Sequence, residues 1–249
     1  LISKDALQYV AELGEKRHQQ VNGIAYYRKD DGSIEQLLSP IQVASPLEVH
    51  SLSGLAAYMA SELDEPKSPG AGAAVVVDGP ECVRLLSSLM GPFRQREVLA
   101  VAKPYLSQPF AYGRFVDIET FITALQAQFV QDEQTATILR VVGNITQEAV
   151  QVVADDGVSQ QVAVRAGITR ASNAVVPNPV TLRPFRTFAE LPQPESKFVL
   201  RLRRNEDELP SATLFETGDT QWKGVATALI KTHLDKLLDE AGVKVPVFA

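Results

Sequence analysis

Apolar residues recur along the chain with two periods, one near 3.6 and one near 2, the spacings of amphipathic helices and half-buried strands. Leu7, Val10, Ala11 and Leu13 share one stripe and predict a helix over 4–18, with Ser3 as its N-cap. Ser51 or Ser53 heads a second helix reaching about 63, in which Leu55, Met59 and Leu63 lie four apart. Asp117 caps a third, where Ile118, Phe121, Ile122, Leu125 and Phe129 keep helical spacing. The pattern predicts that this central helix continues over about 117–142 and stops at Gly143-Asn144. A C-terminal helix over about 220–241 takes its apolar side from Val225, Leu229, Leu234, Leu237 and Leu238.

Between the helices the pattern reads as strands. Segments 24–28 and 34–38 flank Asp30-Asp31-Gly32; 73–77 and 82–86 flank Asp78-Gly79-Pro80; 150–154 and 158–165 flank Asp155-Asp156-Gly157. Each is a hairpin signal, because short acidic residues and glycine accept the turn backbone. Pro40 and Pro46 bracket a short extended piece, and 96–102, 180–188, 197–203 and 212–216 read as further strands. Prolines 177, 179, 184, 192 and 194 break the later ones, which favours edges and bulges. The expected fold is α+β, with antiparallel hairpin and meander sheets packed by the two long helices. Residues 64–73 are rich in proline, glycine and small residues. They divide the chain into an N-terminal helix–hairpin–helix region (1–64), a linker or exposed loop (65–73) and a main domain (74–249), unless the whole is one domain.

Composition fits a soluble globular protein: 249 residues, 45% apolar and 22% charged. The single cysteine, Cys82, excludes an internal disulfide framework and a cysteine-rich zinc site. No apolar run reaches about 18 residues, so no transmembrane helix is expected, and the first residues lack the pattern of a secretory signal.

Motifs for chemistry are sparse. The glycines of Pro69-Gly70-Ala71-Gly72 precede a strand, whereas a dinucleotide needs them between strand and helix. There is no Walker A segment and no nucleophile elbow. His18, His50 and His233 lack metal spacing, and His50 with Ser53 lacks the rest of a triad. Glu195-Ser196-Lys197 could hold a nuclease metal only with a second acid such as Asp155 or Asp156, which read more simply as turn residues. No catalytic residue, metal site or cofactor is assigned.

Charge changes the picture. The net charge is −6, but 165–204 carries eight basic and two acidic residues, so the remainder is strongly acidic. Alternation places Phe198, Leu200 and Leu202 on one face of a strand and Lys197, Arg201 and Arg203 on the other, with Arg204 following. Arg183 and Phe185 share a face of the preceding strand, beside Arg186. These seven residues (Arg183, Phe185, Arg186, Lys197, Arg201, Arg203, Arg204) are the candidate contact set for single-stranded nucleic acid or for another subunit. Cations that follow a phosphate backbone beside rings that stack on bases hold single strands. Cations facing an acidic copy of the same chain drive self-association.

Three stretches carry a family resemblance: 155–164 (Asp-Asp-Gly-Val-Ser-Gln-Gln-Val-Ala-Val), 176–188 (Val-Pro-Asn-Pro-Val-Thr-Leu-Arg-Pro-Phe-Arg-Thr-Phe) and 193–203 (Gln-Pro-Glu-Ser-Lys-Phe-Val-Leu-Arg-Leu-Arg). With Asp117-Ile118-Glu119-Thr120-Phe121-Ile122, they resemble the YfdQ-like family of bacteriophage and prophage proteins, a group without an assigned activity, over roughly 90–240. The resemblance implies a phage or prophage product in the bacterial host cytoplasm and offers no catalytic residues. The leading expectation is a non-enzymatic homo-oligomeric assembly or binding protein, in which the proline-bounded stretch 176–195 supplies arms to a neighbour. The alternative is a single-stranded-DNA-binding or recombination-accessory protein; a metal-dependent nuclease is third.

Overall fold

The computed structural model describes residues 18–21, 24–37, 45–61, 63, 72–90, 94–106, 108–144, 152–155, 160–165, 171–176, 178–204, 209–218 and 220–249. The fold is α+β, with four helices and four mostly antiparallel sheets among these residues. The chain divides into two compact units, residues 1–45 with 89–97, and residues 46–88 with 98–249.

In the smaller unit, β1 (His18–Val21), β2 (Ile24–Arg28) and β3 (Ile34–Leu37) form an antiparallel meander. The expected turn closes it: Gly32 takes φ +84°, and the Asp31 carboxylate accepts from the Ser33 N–H at 2.8 Å. The expected helix over 4–18 and the stretch after Pro40 lie outside the described residues, except that His18 opens β1.

The larger unit has two apolar cores. The first is built on β15-β5-β6-β7-β4. Its middle is the antiparallel meander β5 (Ala74–Gly79), β6 (Cys82–Leu86), β7 (Val98–Ala102). The flanking strands β4 (Leu47–Val49) and β15 (Val247–Phe248) pair in parallel, which hairpin reasoning did not anticipate. Helices α1 (Leu52–Ala60) and α4 (Gln221–Glu240) pack on this sheet, burying Leu55 and Met59 against Val75, Leu85 and Ala100. The buried stripe of α4 is Ala226, Ile230, Leu234 and Leu238, while Val225, expected inside, is 52% exposed.

The second core lies under the antiparallel sheet β12-β13-β14-β8, formed by β8 (Val116–Asp117), β12 (Val180–Leu182), β13 (Ser196–Arg204) and β14 (Pro210–Thr217). Two helices cover it, where the sequence predicts one. Helix α2 (Ile118–Gln128) ends at Phe129, whose extended backbone bridges to Pro184, and α3 (Glu133–Gly143) starts anew at Asp132. The break lets Phe129 bury completely and lets the Val130 N–H donate to the Arg183 carbonyl. Both starts are capped, by Asp117 on the Thr120 N–H and by Asp132 on the Thr135 N–H. A three-stranded antiparallel sheet holds β9 (Val152–Asp155) and β10 (Gln160–Arg165), the expected hairpin pair, with β11 (Ala171–Val176), a strand the sequence pattern does not predict, on the other side of β10.

The strand expected over 180–188 stops at Leu182, and the chain after it folds into its own core. Phe188, Leu191 and Gln193 are buried, so this part of 176–195 is not an arm reaching outward. Gln193 organises the loop. Its Oε1 accepts from the Arg186 and Thr187 N–H groups, and its Nε2 donates to the Phe188 and Leu191 carbonyls. Prolines remove ladder donors here, and one carboxamide supplies the missing pairings.

Glu190 joins this loop to α1, accepting from the N–H groups of Leu52 (2.6 Å) and Ser53 (2.9 Å) at the helix start. Partial burial pushes its carboxyl up, but the bonds from Ser53 and Leu52 outweigh that and hold it below the ordinary 4.5. Its contribution to stability is complete above pH 4.5 and fades as the pH falls through the lower native value. Glu190→Ala should cost about 1 kcal/mol after allowance for solvent screening. Urea unfolding at neutral pH and at pH near 3 checks it, and the deficit should shrink in acid.

Candidate functional site

Strand β13 is where the fold and the charge pattern meet. Phe198, Leu200 and Leu202 point into the second core, as alternation requires. Its other face carries Lys197, Val199, Arg201 and Arg203, successive members about 7 Å apart. Antiparallel register sets Lys197 beside Thr217, Val199 beside Phe215, Arg201 beside Thr213 and Arg203 beside Ser211. Directly opposed residues share a face, so Phe215 stands among the cations, 42% exposed. Lys197 and Arg203 are exposed and Arg201 is half-buried. The Arg203 guanidinium lies 3.9 Å from the centre of the Phe115 ring, a cation–π contact. Gly113 has φ +73°, and a Cβ there would come within 3.4 Å of the Phe215 ring.

The other four members of the predicted set go elsewhere. Arg204 is exposed but one residue out of phase, so it does not share the face of Arg203. Arg183 lies beyond the end of β12 and donates Nε and Nη2 to Asp132 Oδ2, at 3.1 and 2.9 Å. It pairs with the N-cap of α3. Phe185, 45% exposed, sits at the rim of a cavity, not on the β13 face. Arg186 is 8% exposed and pairs through Nη1 with Glu216 Oε1 at 2.7 Å. The sequence thus brings three of the seven cations and aromatics together on one surface and disperses the rest.

The cavity, of about 280 Å³, was not foreseen. Phe110, Tyr112, Pro184 and Trp222 are among its walls, and Gln128, Arg186 and Glu216 bring polar atoms to it. Trp222 stands in the first turn of α4, its ring centre 4.3 Å from the Arg186 guanidinium. Burial pushes the Tyr112 phenol up to about 12, with Arg186 acting against and Glu216 with that shift, so it stays a neutral donor. These residues come from four separate parts of the chain, so no local motif could announce them.

The rejected motifs stay apart. His50 Nδ1 is 2.9 Å from the Lys103 carbonyl, and its ring stacks on Tyr105, away from any arrangement with Ser53. Among the described residues, no group of three or more His, Cys, Asp or Glu side chains could hold a metal ion, and no helix is long and apolar enough to cross a membrane. Comparison of the chain with protein-family models, with curated proteins and with solved structures finds no match.

The position of Arg183 gives a test of its structural role. Burial raises the Asp132 carboxyl, but the Thr135 N–H and the Arg183 guanidinium outweigh it and hold the group below its ordinary value. Asp132→Ala, which removes cap and ion pair together, should cost about 1–2 kcal/mol. Asp132→Asn, which keeps the cap, should cost less than about 1 kcal/mol. Urea melts of the two variants separate the contributions.

Proposed function

We propose that this chain is a binding protein that holds single-stranded nucleic acid along the outward side of β13, beside the exposed Phe215 of β14. One observation carries the reading: Lys197, Arg201 and Arg203 stand in line on one sheet face, with Phe215 exposed between them. A phosphate backbone running along β13 meets a cation at three of its four outward positions, and a base stacks on Phe215 beside the fourth, Val199. The chain outside 165–204 is strongly acidic, which disfavours the strand on those surfaces. The resemblance to the YfdQ-like family supports a phage or prophage product acting in the bacterial host cytoplasm. Self-association through the same face is the competing use of these cations.

Fluorescence anisotropy with a labelled oligothymidine across a salt series tests the reading. Three phosphate contacts give a log–log slope of about −2, from about −0.7 per contact on single strands. Arg201→Ala with Arg203→Ala should flatten the slope by about 1.4. Phe215→Ala should weaken binding by about 1–3 kcal/mol with little change in slope. Light scattering on the same samples separates the competing use. An oligomer that the arginine substitutions dissociate, with no oligonucleotide bound, would transfer the face to subunit contact.

A further inference from the structure

The Arg186 cavity is a second site, independent of the β13 face. Arg186 is a buried cation on an apolar wall, and Glu216 occupies only its Nη1. Nε and Nη2, both buried, have no hydrogen-bond partner among the described residues. Those two nitrogens form one edge of the guanidinium, two parallel N–H donors that match the two oxygens of a carboxylate or phosphate. An arginine held only for stability would have that edge satisfied, because leaving buried donors unpaired costs more than their bonds return. Gln128 Oε1, also at the cavity, is likewise buried without a partner among the described residues. Both side chains line the cavity and their unpaired atoms are shielded from solvent, so a ligand reaches them only once a wall residue moves.

The walls define the rest of the ligand. Phe110, Phe185 and Trp222 present aromatic surface, and Tyr112 offers a phenol that remains protonated. A volume of about 280 Å³ is larger than the roughly 150 Å³ cavity that accepts benzene, leaving room for a substituent on a ring. Glu216 already balances the Arg186 charge, so a ligand of low charge is favoured over a polyanion. We propose that this cavity binds a small aromatic molecule bearing one oxyanion group, with the oxyanion on the Nε–Nη2 edge of Arg186 and the ring against Trp222 and Phe185. Trp222, half-exposed over the guanidinium, is the group that must shift to admit it.

The chain has one tryptophan, so its intrinsic fluorescence reports this site without a label. The full chain is titrated with benzoate, phenyl phosphate and, as the neutral isostere of benzoate, benzamide. The expected result is a saturable change with benzoate or phenyl phosphate and at least tenfold weaker binding of benzamide. The tighter of the two anions identifies carboxylate or phosphate as the natural group. Arg186→Lys keeps the charge but removes the paired donors, and should weaken the anion at least tenfold. Because that residue is buried, Phe185→Ala at the exposed rim serves as a second variant, with a severalfold loss expected and an unchanged melting temperature. The Arg201→Ala, Arg203→Ala double variant should titrate as the parent does, which separates this site from the nucleic-acid face. No saturable response to either anion at millimolar concentration, or equal binding of benzamide, would overturn the proposal.

Discussion

The two-residue alternation of β13 is the constraint on which the larger unit's second half depends. Inward, Phe198, Leu200 and Leu202 join Leu214, Leu125 and Phe129 in a core that buries all six side chains. Outward, the same nine residues carry the cations. A one-residue slip would exchange the faces and bury the charges, so packing of the core and presentation of the basic strip are one requirement. The long register with β14, paired from Lys197–Thr217 through Arg204–Pro210, fixes it. Phe198 lies near the inward-facing end of that register. There it stacks on Tyr112 and lies 5.9 Å from the Arg186 guanidinium, so the same strand also bounds the polar end of the core.

Around this strand, side chains replace backbone pairings that proline removes. Asn178 donates to the Leu200 carbonyl and accepts from the Leu200 N–H, continuing the β12–β13 ladder through its carboxamide. Gln193 does the same for the loop that follows, and Glu190 ties that loop to the first core at the start of α1. Each has its partners in place, Gln193 buried, Asn178 half-buried and Glu190 at the surface, and such pairings specify one arrangement where apolar packing alone would tolerate several. These bonds hold the proline-rich segment against its own chain.

Much of this was legible in the sequence because it is local. The turn at Asp31-Gly32, the β5–β6 hairpin (whose turn falls at Pro80-Glu81, just past Asp78-Gly79), the caps Ser51 and Asp117, and the in–out pattern of β13 are all written within a few residues of where they act. What was not legible depends on distant partners. The break between α2 and α3 needs Pro184 as the partner of Phe129, although Asp132 with Thr135 is a cap signal that could have marked it. The parallel edges β4 and β15 need strands far away in the chain. Arg183 and Arg186 look like members of a surface cluster until Asp132 and Glu216 are set beside them, and Phe215 gains its place only from register with Val199. The basic strip was therefore half visible, and the cavity, assembled from widely separated positions, was not visible at all.

Amide chemical-shift mapping by solution NMR, with an oligothymidine titrated into the full chain at low salt, locates the bound strand residue by residue. The expected result is perturbation centred on Lys197, Val199, Arg201, Arg203 and Phe215, reversed by salt, with the buried positions of β13 affected less. Perturbation confined to other surfaces, or none at all, would contradict the assignment of this sheet face to single-stranded nucleic acid.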